Sequence, residues 1–208
     1  MKYQPQPTIA AVVRRDNGGV DDLVAGFALS LIDRGWWVRG LVQEMHDGIH
    51  GGVFSLVDLD NGKSYPITQN LGKFSSACRL DPAGIAAASG VMQRIADEGA
   101  DLAIFNRFSG LEAEGGGFSA EMLSIMSLEI PTLTIVPERH LTVWRRFTGG
   151  LATELEDSRN ALENWFFDTS LHPSAMSISA PVFTPTPTTN PGRNHGDYCN
   201  SKPGCDHF

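Results

Sequence analysis

The sequence predicts an α/β protein: a doubly wound, mostly parallel sheet with an inserted β-hairpin. Three observations predict it. Short apolar runs alternate with amphipathic segments that carry helix caps. The runs Ile9–Val13, Leu102–Phe105 and Leu133–Val136 are apolar throughout, as strands buried on both faces are. The turn Asp60-Asn61-Gly62-Lys63 between two strand-like runs has the Asn-Gly pair of a tight hairpin.

Taken in order, Ile9-Ala10-Ala11-Val12-Val13 is the first strand. Asp21 or Asp22 then caps a helix to about Arg34, with Val24, Phe27, Ala28 and Leu31 on one face and Gly35 as its stop. Trp37–Val42 is a second strand, and Val53–Leu59 and Ser64–Ile67 are the arms of the hairpin. Asp81 is a natural N-cap, Pro82 suits the first helical position, and Gly99 closes that helix. Strand Leu102–Phe105, a Gly-rich loop, a helix from about Ser119 to Leu128 and strand Leu133–Val136 follow. Helical segments near Leu141–Phe147 and Ser158–Phe167 complete the domain, which is expected to span residues 1–169.

Residues 170–208 are expected to form a flexible Pro/Thr-rich tail with a Cys/His-containing end. They hold six of the twelve prolines, and their charges cancel (Arg193 and Lys202 against Asp197 and Asp206). The whole net charge of −8 therefore belongs to the domain. That balance argues against a nucleic-acid partner. Three unevenly placed cysteines are no disulfide framework. The first residues lack the apolar core of a signal peptide, and no run reaches the roughly 18 apolar residues of a membrane span. A cytoplasmic protein without membrane insertion is expected.

Ligands of such sheets bind at the loops leaving the carboxyl ends of the strands. The first, Arg14-Arg15-Asp16-Asn17-Gly18-Gly19-Val20, lacks the Lys-Ser/Thr pair of a phosphate-binding loop, and Asp21-Asp22 would repel an anion there. Glu44–His50 places His46 and His50 four apart, but its glycines point to a loop with solvated histidines. Cys78 and Arg79 directly precede a helix N-terminus, where Arg79 could help seat an anion and Cys78 would gain thiolate character. Alternatively Cys78 is merely buried and Arg79 pairs with a carboxylate.

Asn106 stands where P-loop enzymes carry a magnesium-binding Asp, which disfavours a magnesium–nucleotide complex. Beside it, Arg107 could join Arg79 in a small oxyanion pocket, or Glu112 and Glu114 could neutralise these arginines. Pro137-Glu138-Arg139-His140 could supply a further cation. In the tail, His195, Cys199, Cys205 and His207 are a ligand set for zinc or iron, although Cys-x5-Cys matches no standard finger.

Ser76-Ala77-Cys78-Arg79-Leu80-Asp81-Pro82, followed by Asp101–Phe108 and Leu111-Glu112-Ala113-Glu114-Gly115, resembles a bacterial domain family of unknown function. Ile130–Thr134 and Trp144–Gly150 continue the match, which covers about residues 8 to 167. The resemblance implies a degenerate relative of small P-loop nucleoside triphosphatases. It also implies a link to molybdenum, because members are often encoded beside molybdate-uptake genes and labelled as molybdenum-transporter ATP-binding proteins.

The first expectation is a non-enzymatic binding or regulatory protein. It would hold molybdate, tungstate or another small oxyanion through Cys78, Arg79, Asn106 and Arg107, and meet a protein partner in molybdenum uptake or cofactor assembly. One alternative is a divergent nucleoside-triphosphate-binding protein or hydrolase, with Glu112 or Glu114 orienting water. The other is a metal-carrying interaction module that uses its tail.

Overall fold

The apolar runs become strands, and the capped segments become helices. In a computed structural model, residues 8–15, 18–46, 53–68 and 80–170 are described. The strands are β1 (Ile9–Arg14), β2 (Val38–His46), β3 (Val53–Asp58), β4 (Ser64–Pro66), β5 (Leu102–Arg107), β6 (Thr132–Pro137) and β7 (Thr153–Leu155). They form one sheet of order β4-β3-β2-β5-β6-β1-β7. The pairs from β2 through β5, β6 and β1 to β7 are parallel, whereas β3 and β4 add an antiparallel ribbon. The predicted fold class is the one observed.

The helices are α1 (Val20–Asp33), α2 (Pro82–Glu98), α3 (Gly110–Ala113), α4 (Ser119–Ser127), α5 (Leu141–Phe147) and α6 (Arg159–Ser170). Strand alternation sends Ala10 and Val12 of β1 to one face and Ala11 and Val13 to the other. On the first face α1 and α6 bury Val24, Phe27, Leu31, Leu162 and Phe166. On the second, α2, α4 and α5 bury Met92, Ile95, Met122 and Trp144. Helices on both faces explain why the strand sequences are apolar throughout rather than alternating. None of these helices is long and apolar enough to cross a membrane.

The cap of α2 is as expected: the Asp81 carboxylate accepts from the Ala83 N–H at 3.0 Å. The start of α1 differs. Its N-cap is Gly19, whose φ of 107° few side-chain-bearing residues tolerate, and Asp21 and Asp22 fall within the first turn. There they complement the positive end of the helix rather than cap it.

Strand β2 runs on to His46, so Glu44 and His46 lie in a strand and not in a loop; pairing of Leu41–His46 with Val53–Asp58 supplies the backbone partners that local propensity does not announce. His50 lies outside the described residues. Strand β7 was not expected, being only three residues long, and it pairs with β1 through Ala10–Val12.

Arg145 of α5 ties that edge strand down, its Nε and Nη2 donating to Glu154 at 2.6 and 2.8 Å. This hydrogen bond holds the Glu154 carboxyl below its ordinary value, against a smaller opposing effect of burial. A depressed carboxyl stabilises the fold above its unfolded-state value and loses that contribution as pH falls through the folded-state value. The urea midpoints of wild type and Arg145→Ala are therefore expected to differ at neutral pH and to converge in acid, below about pH 4.5.

Candidate functional site

At the carboxyl edge of the sheet, β1 passes through Gly18 and Gly19 into α1. A cleft of about 770 Å³ opens between this turn, α1 and the extended part of β2 and β3. Arg14, Asp21, His46 and Arg107 line it with the apolar side chains of Leu29 and Val42. This volume lies within the range of small-molecule sites. At Gly18 and Gly19 an added Cβ would meet nothing within 4 Å, so the turn faces open space. With glycine as N-cap, no side-chain cap bond to the first amides of α1 is made among the described residues.

Arg107 reaches this cleft from the end of β5. The register of β5 against β6 shifts between Phe105 and Arg107, which releases residue 107 from strict alternation with Ala103 and Phe105. Its guanidinium then meets Asp21 of α1 with two hydrogen bonds, Nε to Oδ1 at 3.0 Å and Nη2 to Oδ2 at 2.5 Å. Both side chains are about a quarter exposed, at 23% and 22%. The remaining N–H groups of Arg107 have no partner among the described residues.

A smaller pocket of about 260 Å³ adjoins it, with Gln43, Phe54 and Arg107 lining both. Asn106 lines this second pocket and donates from Nδ2 to Gln43 Oε1 at 3.3 Å. Glu112 lines it too, but its carboxylate is turned to local structure. It accepts from the Ser109 N–H and hydroxyl, each at 3.0 Å, and from the Phe118 N–H at 3.4 Å. A Cβ at Gly117 would lie 2.1 Å from Glu112 Oε1, so the glycine-rich stretch wraps this carboxylate.

Of the residues singled out in the sequence, Asn106, Arg107 and Glu112 thus line the smaller pocket together, and Arg107 also lines the cleft. Glu114 is the exposed C-cap of α3. Arg139 is exposed and donates to its neighbour His140, while Glu138 lies 3.7 Å from Arg15. Cys78, Arg79, His195, Cys199, Cys205 and His207 lie outside the described residues. Among the described residues no group of three or more His, Cys, Asp and Glu side chains could hold a metal ion. The sequence reading missed Asp21 as the partner of Arg107, and Arg14 and Gln43 as wall residues. Opposite charges on two carboxyl-edge loops were the available signal.

A family model described as a protein of unknown function (DUF2478) matches residues 9–165. The chain belongs to this family. It is 38% identical over 164 residues to the molybdenum import ATP-binding protein ModC 2 of Bradyrhizobium diazoefficiens, a match covering 78% of this chain and 18% of that protein. The chain thus spans about a fifth of that relative's length.

Two solved structures share the fold. A human cancer-related nucleoside triphosphatase superposes with a TM-score of 0.54 at 15% identity, covering 76% of this chain and 94% of the other. THEP1 from Aquifex aeolicus superposes with a TM-score of 0.51 at 15% identity, covering 77% and 96%. The DUF2478 domain thus has the architecture of small P-loop nucleoside triphosphatases.

Its residues do not fit the magnesium–nucleotide complex that this architecture implies. No Lys-Ser/Thr pair follows Gly18 and Gly19 at the start of α1, where Val20 and Asp21 stand instead. Asp21 is already engaged by Arg107, and Asn106 at the end of β5 lacks the negative charge of a magnesium-binding Asp.

Proposed function

We propose that this DUF2478 protein is a non-hydrolytic binding or regulatory protein of molybdenum handling that holds a compact oxyanion of the molybdate type in the carboxyl-edge cleft. The observation that carries this reading is the start of α1, which opens on the cleft beside Arg14 and Arg107 and has, among the described residues, no side-chain cap and no further partner for the Arg107 N–H groups. Unsatisfied helix amides and a planar guanidinium both suit a small tetrahedral anion. Pairing with Arg107 offsets the carboxylate of Asp21, which would otherwise repel such a ligand. The likeness to ModC 2, a molybdenum import ATP-binding protein, supports the molybdenum link. Cys78 and Arg79 stand in sequence just before Leu80, which lines the smaller pocket, and remain proposed further ligands.

Calorimetric titration with molybdate, tungstate and sulfate tests this. Molybdate and tungstate should give saturable heats, and Arg107→Ala should weaken binding at least about tenfold, the effect of losing one hydrogen bond to a charged group. No heat from any of the three anions would end the proposal.

The size of the cleft and its apolar side chains Leu29, Val42, Val57 and Leu59 favour a second reading, a nucleotide bound without hydrolysis. Heats from nucleotides alone would select it. In neither reading does Glu112 orient water, because its carboxylate oxygens are engaged by Ser109 and Phe118.

A further inference from the structure

In P-loop enzymes a divalent cation is held between the hydroxyl that follows the lysine at the start of the helix and a carboxylate at the end of a sheet strand. Here a carboxylate stands near the first place, and a guanidinium stands next to Asn106 at the second. The carboxylate, Asp21, is on the second residue of α1, and the cationic side chain, Arg107, is at the end of β5. They meet directly, across 86 residues of sequence, through two hydrogen bonds.

We propose that the Arg107 guanidinium fills the cation position of this fold, so that the cleft takes its ligand without a divalent metal. Magnesium requires near-octahedral oxygen ligation at about 2.0–2.1 Å. Both oxygens of Asp21 are instead occupied by N–H donors, and the Asn106 amide is turned to Gln43. A metal ligated by Asp21 would stand directly beside the guanidinium charge of this bidentate pair, which opposes its binding.

This arrangement also bears on ligand class. A metal joins adjacent phosphates by bridging their oxygens. A guanidinium presents a flat fork of N–H groups that suits a single oxyanion or one terminal phosphate. The proposal rests on the fold and on this ion pair, and not on the identity of the anion.

The test is therefore made on the full chain, labelled with nitrogen-15, with no anionic ligand added. In wild type the Arg107 Nε–H resonance should stay in place as magnesium chloride is added. Manganese should not selectively broaden the amides of Gly19–Asp22. In Arg107→Met, checked as folded by its amide spectrum, manganese should broaden those amides, and adding Asp21→Asn should remove the effect.

A saturable magnesium-dependent shift or loss of the Arg107 signal in wild type would overturn the proposal, as would a folded Arg107→Met protein indifferent to manganese. Should that variant not fold, the wild-type titrations decide alone. Failure here leaves the anion titrations of the preceding section unaffected.

Discussion

Gly40→Ala is expected to lower stability by roughly 4 kcal/mol, the sum of a backbone strain and a collision that nothing nearby can relieve. Gly40 lies in β2, opposite Ile104 of β5, with φ at 128°. A Cβ there would stand 2.0 Å from the Ile104 carbonyl oxygen and 2.7 Å from its nitrogen. Both are backbone atoms in the middle of the sheet, so neither can turn away as a side-chain tip would.

This β2–β5 contact also sets the spacing of Gln43 and Asn106, which close the cleft between its two pockets. Thermal unfolding should move down by about 8–16 °C, and anion binding should weaken along with it. A variant within about 1 kcal/mol of wild type would show that the two strands can separate there at little cost, contrary to the close approach seen.

How much of this was legible in sequence depends on how local each cause is. Strand β1 and helix α2 could be read because their causes lie within the segment: a run of apolar residues, and Asp81-Pro82 before a helical repeat. The extension of β2 through Glu44, Met45 and His46 could not, because its partners sit on β3, beyond residues whose glycines suggest a loop. Strand β7 is too short for periodicity to show.

The site divides in the same way. Arg107 and Asn106 could be singled out because a strand end is a predictable place for function. The Arg107–Asp21 pair joins residues 86 positions apart, and neither segment reports the other. It gives Arg107, which the sequence reading offered either to an anion or to Glu112 and Glu114, a different partner that organises the start of α1.

Glu112 carries the second large effect, and it separates structure from chemistry at the cleft. The spacing Ser109-x-x-Glu112 is a capping box, hidden in sequence by the glycines around it. The carboxylate is buried, with no cationic partner among the described residues, and accepts from the N–H groups of Ser109 and Phe118 as well as the Ser109 hydroxyl. Glu112→Ala would leave those donors unsatisfied next to a void.

The expected cost is about 3 kcal/mol, or a fall of about 6–12 °C in the unfolding midpoint. Glu112→Gln keeps one carbonyl acceptor but must set an NH2 group against a backbone N–H, so its midpoint should lie between those of wild type and the alanine variant. A catalytic carboxylate behaves otherwise, since such groups are held ready for substrate and their removal commonly leaves stability unchanged or higher. Thermal unfolding of both variants decides between the two roles: unchanged midpoints would return Glu112 to the candidates for chemistry, and graded losses would assign it to holding the β5–α3 turn on which Arg107 is mounted.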